Sequence, residues 1–84
     1  MSAGDTRDSL AFTYLKLGDL DRALAEYNTA LKLNPKIAGS LYGRGITKLR
    51  KGDVSAGKTD IEAAKTIEAG VTDEFAKYGI VAPN

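Results

Sequence analysis

Cysteine, histidine and tryptophan are all missing from this 84-residue chain, and proline occurs only twice. Without cysteine there is neither a disulfide framework nor a thiolate metal site, and no clue to the redox compartment. The joint loss of histidine and cysteine removes the usual zinc ligands, the common general base near neutral pH and the strongest nucleophile. No enzyme activity, metal or cofactor is therefore expected. No run of about 18 apolar residues is present either, so no membrane-spanning helix is expected. The start, MSAGDTRDS, lacks the basic-then-apolar layout of a secretory signal. A soluble chain is expected, with its localisation left open.

What is present suits one small domain over residues 1–84. Apolar residues make up 43% of the chain, near the size where burial only just suffices for folding. Net charge is +1 but unevenly spread: residues 1–31 carry −2, residues 32–58 carry +6 and residues 59–84 carry −3. A basic band thus lies between acidic flanks.

The stretch GDLDRALAEYNTALKLNP, Gly18 to Pro35, reads as a complete amphipathic helix. Asp19 can cap its start. Leu20, Ala23, Leu24, Tyr27, Ala30 and Leu31 recur at helical spacing on one face, and Asn34-Pro35 stops it. Before it, Met1 to Gly4 reads as a lead-in, and Asp5 or Thr6 can cap a helix to Leu17. On that helix Leu10, Ala11, Tyr14 and Leu17 share one arc, while Phe12 and Leu15 fall on another. A third helix is expected from Ile37 to Lys51, weakened by Gly39, Gly43 and Gly45 at roughly 1 kcal/mol each unless close packing explains them. A fourth is expected after Gly52-Asp53, running to Ala69 with Gly70 as its stop. A short fifth is expected with Thr72 as its cap and Val71, Phe75 and Tyr78 as one stripe. Every apolar stretch fits a period of 3.6 better than 2, so no strand is expected.

The two halves overlay at a shift of 34 residues. Phe12 then matches Ile46, Leu15 matches Leu49, Gly18-Asp19 matches Gly52-Asp53, Ala23 matches Gly57, Tyr27 matches Ile61 and Ala30 matches Ala64. Small falls on small and large on large. A helix-turn-helix unit of this length resembles the tetratricopeptide repeat (TPR), here of bacterial type. In the first unit Leu10, Ala11, Tyr14, Ala23, Tyr27, Ala30 and Pro35 stand where that family places its large, small, aromatic, small, aromatic, small and proline residues. The chain departs from the pattern at Arg7, where an aromatic is frequent. In the second unit Arg44 and Lys48 replace Leu and Tyr, and Ala69 replaces the closing Pro.

The resemblance implies an all-α superhelix of two hairpins, residues 5–36 and 37–70, closed by a short helix at 71–80 whose Phe75 and Tyr78 cover the end of the fourth helix. It also implies a non-catalytic module whose first helices line a concave groove for a segment of a partner protein. The groove residues it implies are Phe12, Leu15, Lys16, Tyr42, Ile46, Leu49 and Arg50, although the same residues could simply pack the first helix on the third. Some members hold a partner's terminal carboxylate with Lys, Asn and Arg. Asp8, Phe12 and Gly43 occupy those places here, so that activity is not implied.

Three further patterns need weighing. Gly52 to Thr59, GDVSAGKT, spells the phosphate-loop pattern, in which Lys58 and Thr59 would serve phosphate and Mg²⁺. The polar GITKLRK before it supplies no buried strand, so nucleotide binding is a remote alternative. Arg44, Lys48, Arg50, Lys51 and Lys58 could form a basic patch. A solvated helix face is the commoner origin of such a run, and an acidic protein segment suits it better than nucleic acid. Asp19, Asp21, Asp60 and Glu62 read as caps and surface charges. Because two units are fewer than the three usually needed for stability, self-association, as a homodimer or within a longer array, is the structural alternative.

Overall fold

In the computed structural model, which describes residues 3–81, five helices account for the chain: α1 (Ala3–Leu17), α2 (Leu20–Leu33), α3 (Ala38–Arg50), α4 (Val54–Ile67) and α5 (Val71–Lys77). No strand occurs among the described residues. α1 pairs with α2 and α3 with α4 as two hairpins. α2 packs against α3 to join them, and α5 rests on α3 and α4.

The two hairpin turns are built alike. Gly18 and Gly52 take left-handed conformations, φ +83° and +93°, which a side chain would oppose. Behind each, the chain closes a Schellman motif: Asp19 N–H donates to the Tyr14 carbonyl at 2.9 Å, and Asp53 N–H to the Lys48 carbonyl at 2.8 Å. Asp19 then caps α2 by accepting from Arg22 N–H at 3.3 Å. Asp53 holds the equivalent position without a side-chain cap bond. At the far end, Asn34 is extended and its N–H donates to the Ala30 carbonyl at 2.9 Å, so α2 stops where Asn34-Pro35 predicts.

Several boundaries differ from those read off the sequence: Ile37 and Lys51 flank α3 as its caps, and α5 ends at Lys77, short of residue 80. Ala3 and Gly4 belong to α1 instead of a lead-in; Met1, Ser2 and Pro83 lie outside the described residues. α4 ends at Ile67, two residues before Ala69, because Glu68 turns extended at φ −143°. α5 starts at Val71 behind Gly70: the Glu74 N–H donates to the Gly70 carbonyl at 3.1 Å, which leaves Thr72 inside the helix, not at its cap.

One core runs through both hairpins and α5. Ala11, Leu15, Ala23, Tyr27, Ile46, Ala64 and Val71 have no solvent exposure. Two of the three glycines of α3, Gly43 and Gly45, are explained by this packing. A Cβ on Gly43 would stand 2.2 Å from the ring of Tyr27, so that glycine is the seat of the aromatic side chain. Gly45 and Gly57 face each other where α3 crosses α4, and a Cβ on either would lie 2.7 Å from the carbonyl oxygen of the other. The local helix cost at these positions is offset by backbone-level contact between helices. The expectation that α3 suffers from its glycines therefore holds for propensity but not for the folded chain.

Gly57→Ala tests this. On an exposed helix the change would stabilise by about 1 kcal/mol. Here it should destabilise by about 1–3 kcal/mol through overpacking against a carbonyl that cannot move aside, lowering the thermal midpoint by several degrees in a circular dichroism melt. A raised midpoint would overturn the close-crossing account.

Candidate interaction surface

Two groups of side chains lie outside the plain hydrophobic core: an ion cluster within the α3–α4 hairpin that reaches α2 through Arg44, and an aromatic cluster where α1, α3 and α5 share a face.

The ion cluster is centred on Asp60 of α4, which is 6% exposed. Its carboxylate accepts two bonds from the Arg44 guanidinium, at 2.8 and 3.0 Å, and one from Lys48 Nζ at 2.9 Å. Arg44 donates a further bond to Asn28 Oδ1 of α2 at 3.1 Å. Burial pushes the Asp60 carboxyl upward, but the hydrogen bonds and charges of Arg44 and Lys48 outweigh it and hold the group below the ordinary carboxylate range. Asp60 is thus no surface charge: it is the partner of Arg44 and Lys48, which stand where the resemblance implies Leu and Tyr. Lys51 also pairs across the units, with the exposed Asp21 of α2, whose carboxyl that hydrogen bond and charge hold down. Of the five residues in the supposed basic patch, three are committed to carboxylates within the chain, which leaves Arg50 and Lys58 as exposed cations without a described acidic partner.

The aromatic cluster joins residues far apart in the chain. The Phe12 ring of α1 meets Phe75 of α5 edge-on at 5.5 Å between centroids, and meets Tyr78 at 5.4 Å. Phe75 also tilts against Tyr42 of α3 at 4.8 Å. Such edge-on and tilted contacts suit the ring quadrupoles. The chain then turns back through a hydrogen bond from Ile80 N–H to the Phe75 carbonyl at 3.1 Å, which returns Ile80 to the core. Phe75 and Tyr78 therefore reach toward α1 across α3, beyond the end of α4 that they were expected to cover. Beside these rings lies a cavity of about 380 Å³, lined by Ser9, Phe12, Gly39, Glu74, Phe75 and Tyr78.

The residues proposed for a groove separate by burial. Leu15 and Ile46 are fully buried and Tyr42 nearly so, at 0%, 0% and 2% exposure. Phe12 and Leu49 are half-buried, and Lys16 and Arg50 are exposed. Lys16 Nζ stands 5.7 Å from the centroid of the Phe12 ring. The side chains of Asp5 to Asp8 are not among those described. Ser9 and Glu74, which line the cavity, were not singled out by the sequence, and Gly39 was read only as a weak point of α3. The signal for Glu74 lay in the register of α5, where it precedes Phe75 on a helix too short to read by periodicity.

Gly52 to Thr59 forms no phosphate loop. Val54 onward is helix, and Gly57 N–H already donates to the Asp53 carbonyl at 3.0 Å, so this amide cannot cradle a phosphate. No helix among the described residues is long and apolar enough to cross a membrane.

The architecture is that of an all-α protein built from helical hairpins. Residues 13–52, just under half of the chain, match the family model described as TPR repeat. The match runs from the middle of α1 to the turn after α3. No curated protein and no solved structure matches the chain. The matched family is a repeat that generally mediates protein–protein interaction.

Two outcomes follow for this region. Asp60→Asn should cost on the order of 2–3 kcal/mol, below a fully buried pair because Arg44 and Lys48 each keep 22% of their side chains in solvent. A carboxyl held below its unfolded value stabilises the fold above the unfolded pKa, near 3.9, and loses that contribution as pH falls through the folded value. Urea melts taken down to about pH 3 should therefore show acid destabilisation that is shallower in Asp60→Asn than in wild type. Millimolar Mg-ATP should leave the thermal midpoint unchanged, since a ligand of the folded state would raise it by mass action. A clear rise would restore the phosphate-loop reading.

Proposed function

We propose that this chain is a non-catalytic TPR module of two units, residues 5–36 and 37–70, closed by a third element at 71–80, and that it binds a segment of another protein on the face shared by α1, α3 and α5. The TPR match over residues 13–52 supports an interaction role. The observation that carries the choice of face is the cavity between Phe12, Gly39 and the α5 side chains, the place where a side chain from outside can enter. Leu15, Tyr42 and Ile46 form the floor behind that face. Phe12, Lys16, Leu49 and Arg50, with Glu74 and Tyr78, are the residues a partner can touch.

Self-association is the second reading, and one observation favours it. Arg44, Lys48 and Lys51 of α3 face α2 and Asp60, and a shift of 34 residues places Leu10, Tyr14 and Leu17 in the same register on α1. Leu10 and Leu17 are 39% and 76% exposed. A second copy or a further hairpin could cover them.

Light scattering separates the two, because self-association through α1 predicts a mass that rises with concentration and falls back in Leu17→Lys. For partner binding, Phe12→Ala combined with Tyr78→Ala should abolish capture of the partner by the immobilised domain, while Lys32→Glu, exposed on α2, should not. Ile46, being buried, is unsuited to such a test. Equal capture by both variants would sink the assignment of the face.

A further inference from the structure

We infer that the cavity between α1, α3 and α5 receives a cationic side chain, preferentially arginine, from the partner segment, with Glu74 as its counter-charge. The inference rests on the proposed interaction role and adds the chemistry of the partner.

Of the six described residues lining the cavity, three carry aromatic rings, Phe12, Phe75 and Tyr78, and among the described residues the one charged group is the Glu74 carboxylate. Aromatic faces attract ammonium and guanidinium groups through the ring quadrupole, most of all where water is partly excluded. Phe12 already does so, with Lys16 Nζ 5.7 Å from its centroid. A planar guanidinium can stack on a ring and bond a carboxylate through the same group, which a lysine ammonium does less well. Gly39 contributes no side chain, so the α3 wall of the cavity is backbone and the stem of a long side chain has room beside it. The volume, about 380 Å³, sits at the small end of ligand pockets and suits one long side chain with part of its neighbour.

Charge elsewhere agrees. Three of the seven cations in the basic band are paired within the chain: Arg44 and Lys48 bind Asp60, and Lys51 binds Asp21. On α5, Glu74 lines the cavity, and both it and Asp73 are exposed, against the single exposed Lys77. The site therefore opposes a carboxylate and favours a cation, the reverse of what the sequence-level charge distribution suggests.

The test is selection of short random peptides displayed on phage against the wild-type chain, followed by NMR titration of ¹⁵N-labelled protein with a synthetic copy of a selected peptide. The expected pool carries an arginine or lysine beside an apolar residue, with amide shifts centred on Ser9, Gly39 and Glu74. Glu74→Gln should weaken that peptide by roughly threefold to tenfold, the range of a partly desolvated charge pair, and Glu74→Lys should weaken it further. Replacing the peptide's cation by norleucine should cost more than Glu74→Gln does in wild type, and less in Glu74→Gln than in wild type, because there only the ring attraction is left to lose. Gly39→Leu, which fills the cavity while improving helix propensity, should abolish binding with the helical circular dichroism spectrum retained. Lys16→Ala, which removes the chain's own cation from the Phe12 ring, should tighten binding by about twofold. A pool that binds this face through acidic or purely apolar residues, insensitive to Glu74→Gln, would overturn the cation inference and leave the interaction role standing. Failure of every peptide to bind would overturn both.

Discussion

The crossing of α3 over α4 at Gly45 and Gly57 is the constraint on which the rest of the structure depends. Each glycine leaves room for the other's carbonyl oxygen, 2.7 Å from where a Cβ would stand. With the helices so close, Asp60 on α4 comes within reach of both Arg44 and Lys48, one turn apart on α3. The same approach leaves α3 and α4 as a single platform, against which Val71 and Phe75 of α5 are buried. Widening this crossing by one methyl group would loosen the ion cluster and the seat of α5 together, since interiors packed to crystal-like density transmit such changes.

Much of the architecture was legible because its signals are local. Gly18-Asp19 and Gly52-Asp53 mark the two hairpin turns, Asn34-Pro35 ends α2, and the 3.6-residue spacing of Ala23, Tyr27, Ala30 and Leu31 gives the buried face of α2. The shift of 34 residues that aligns these features supplies the hairpin repeat without reference to any contact.

What the sequence concealed depends on contacts across long separations. Asp60 looks like any helical surface acid until α3 delivers two cations to it from 16 and 12 residues upstream. Leu15 and Ile46 lie at positions that face a groove in the repeat pattern, yet both are sealed. The half-buried Phe12 and the α5 rings approach the same face from opposite sides. The destination of α5 was the hardest part, because seven residues give too little periodicity to say which way Phe75 and Tyr78 point. Glycine composition misled in a different way: Gly43 and Gly45 read as weakness along the helix and act as closeness between helices.

Ring contacts join α1 to α5: Phe12 reaches Phe75 and Tyr78 beside an open cavity. Edge-on ring contacts are each worth about 0.5–1.5 kcal/mol beyond their buried area. The two flanks of the face are therefore tied through side chains, and the strength of that tie is set by Phe12, Phe75 and Tyr78 more than by the α3–α4 platform beneath.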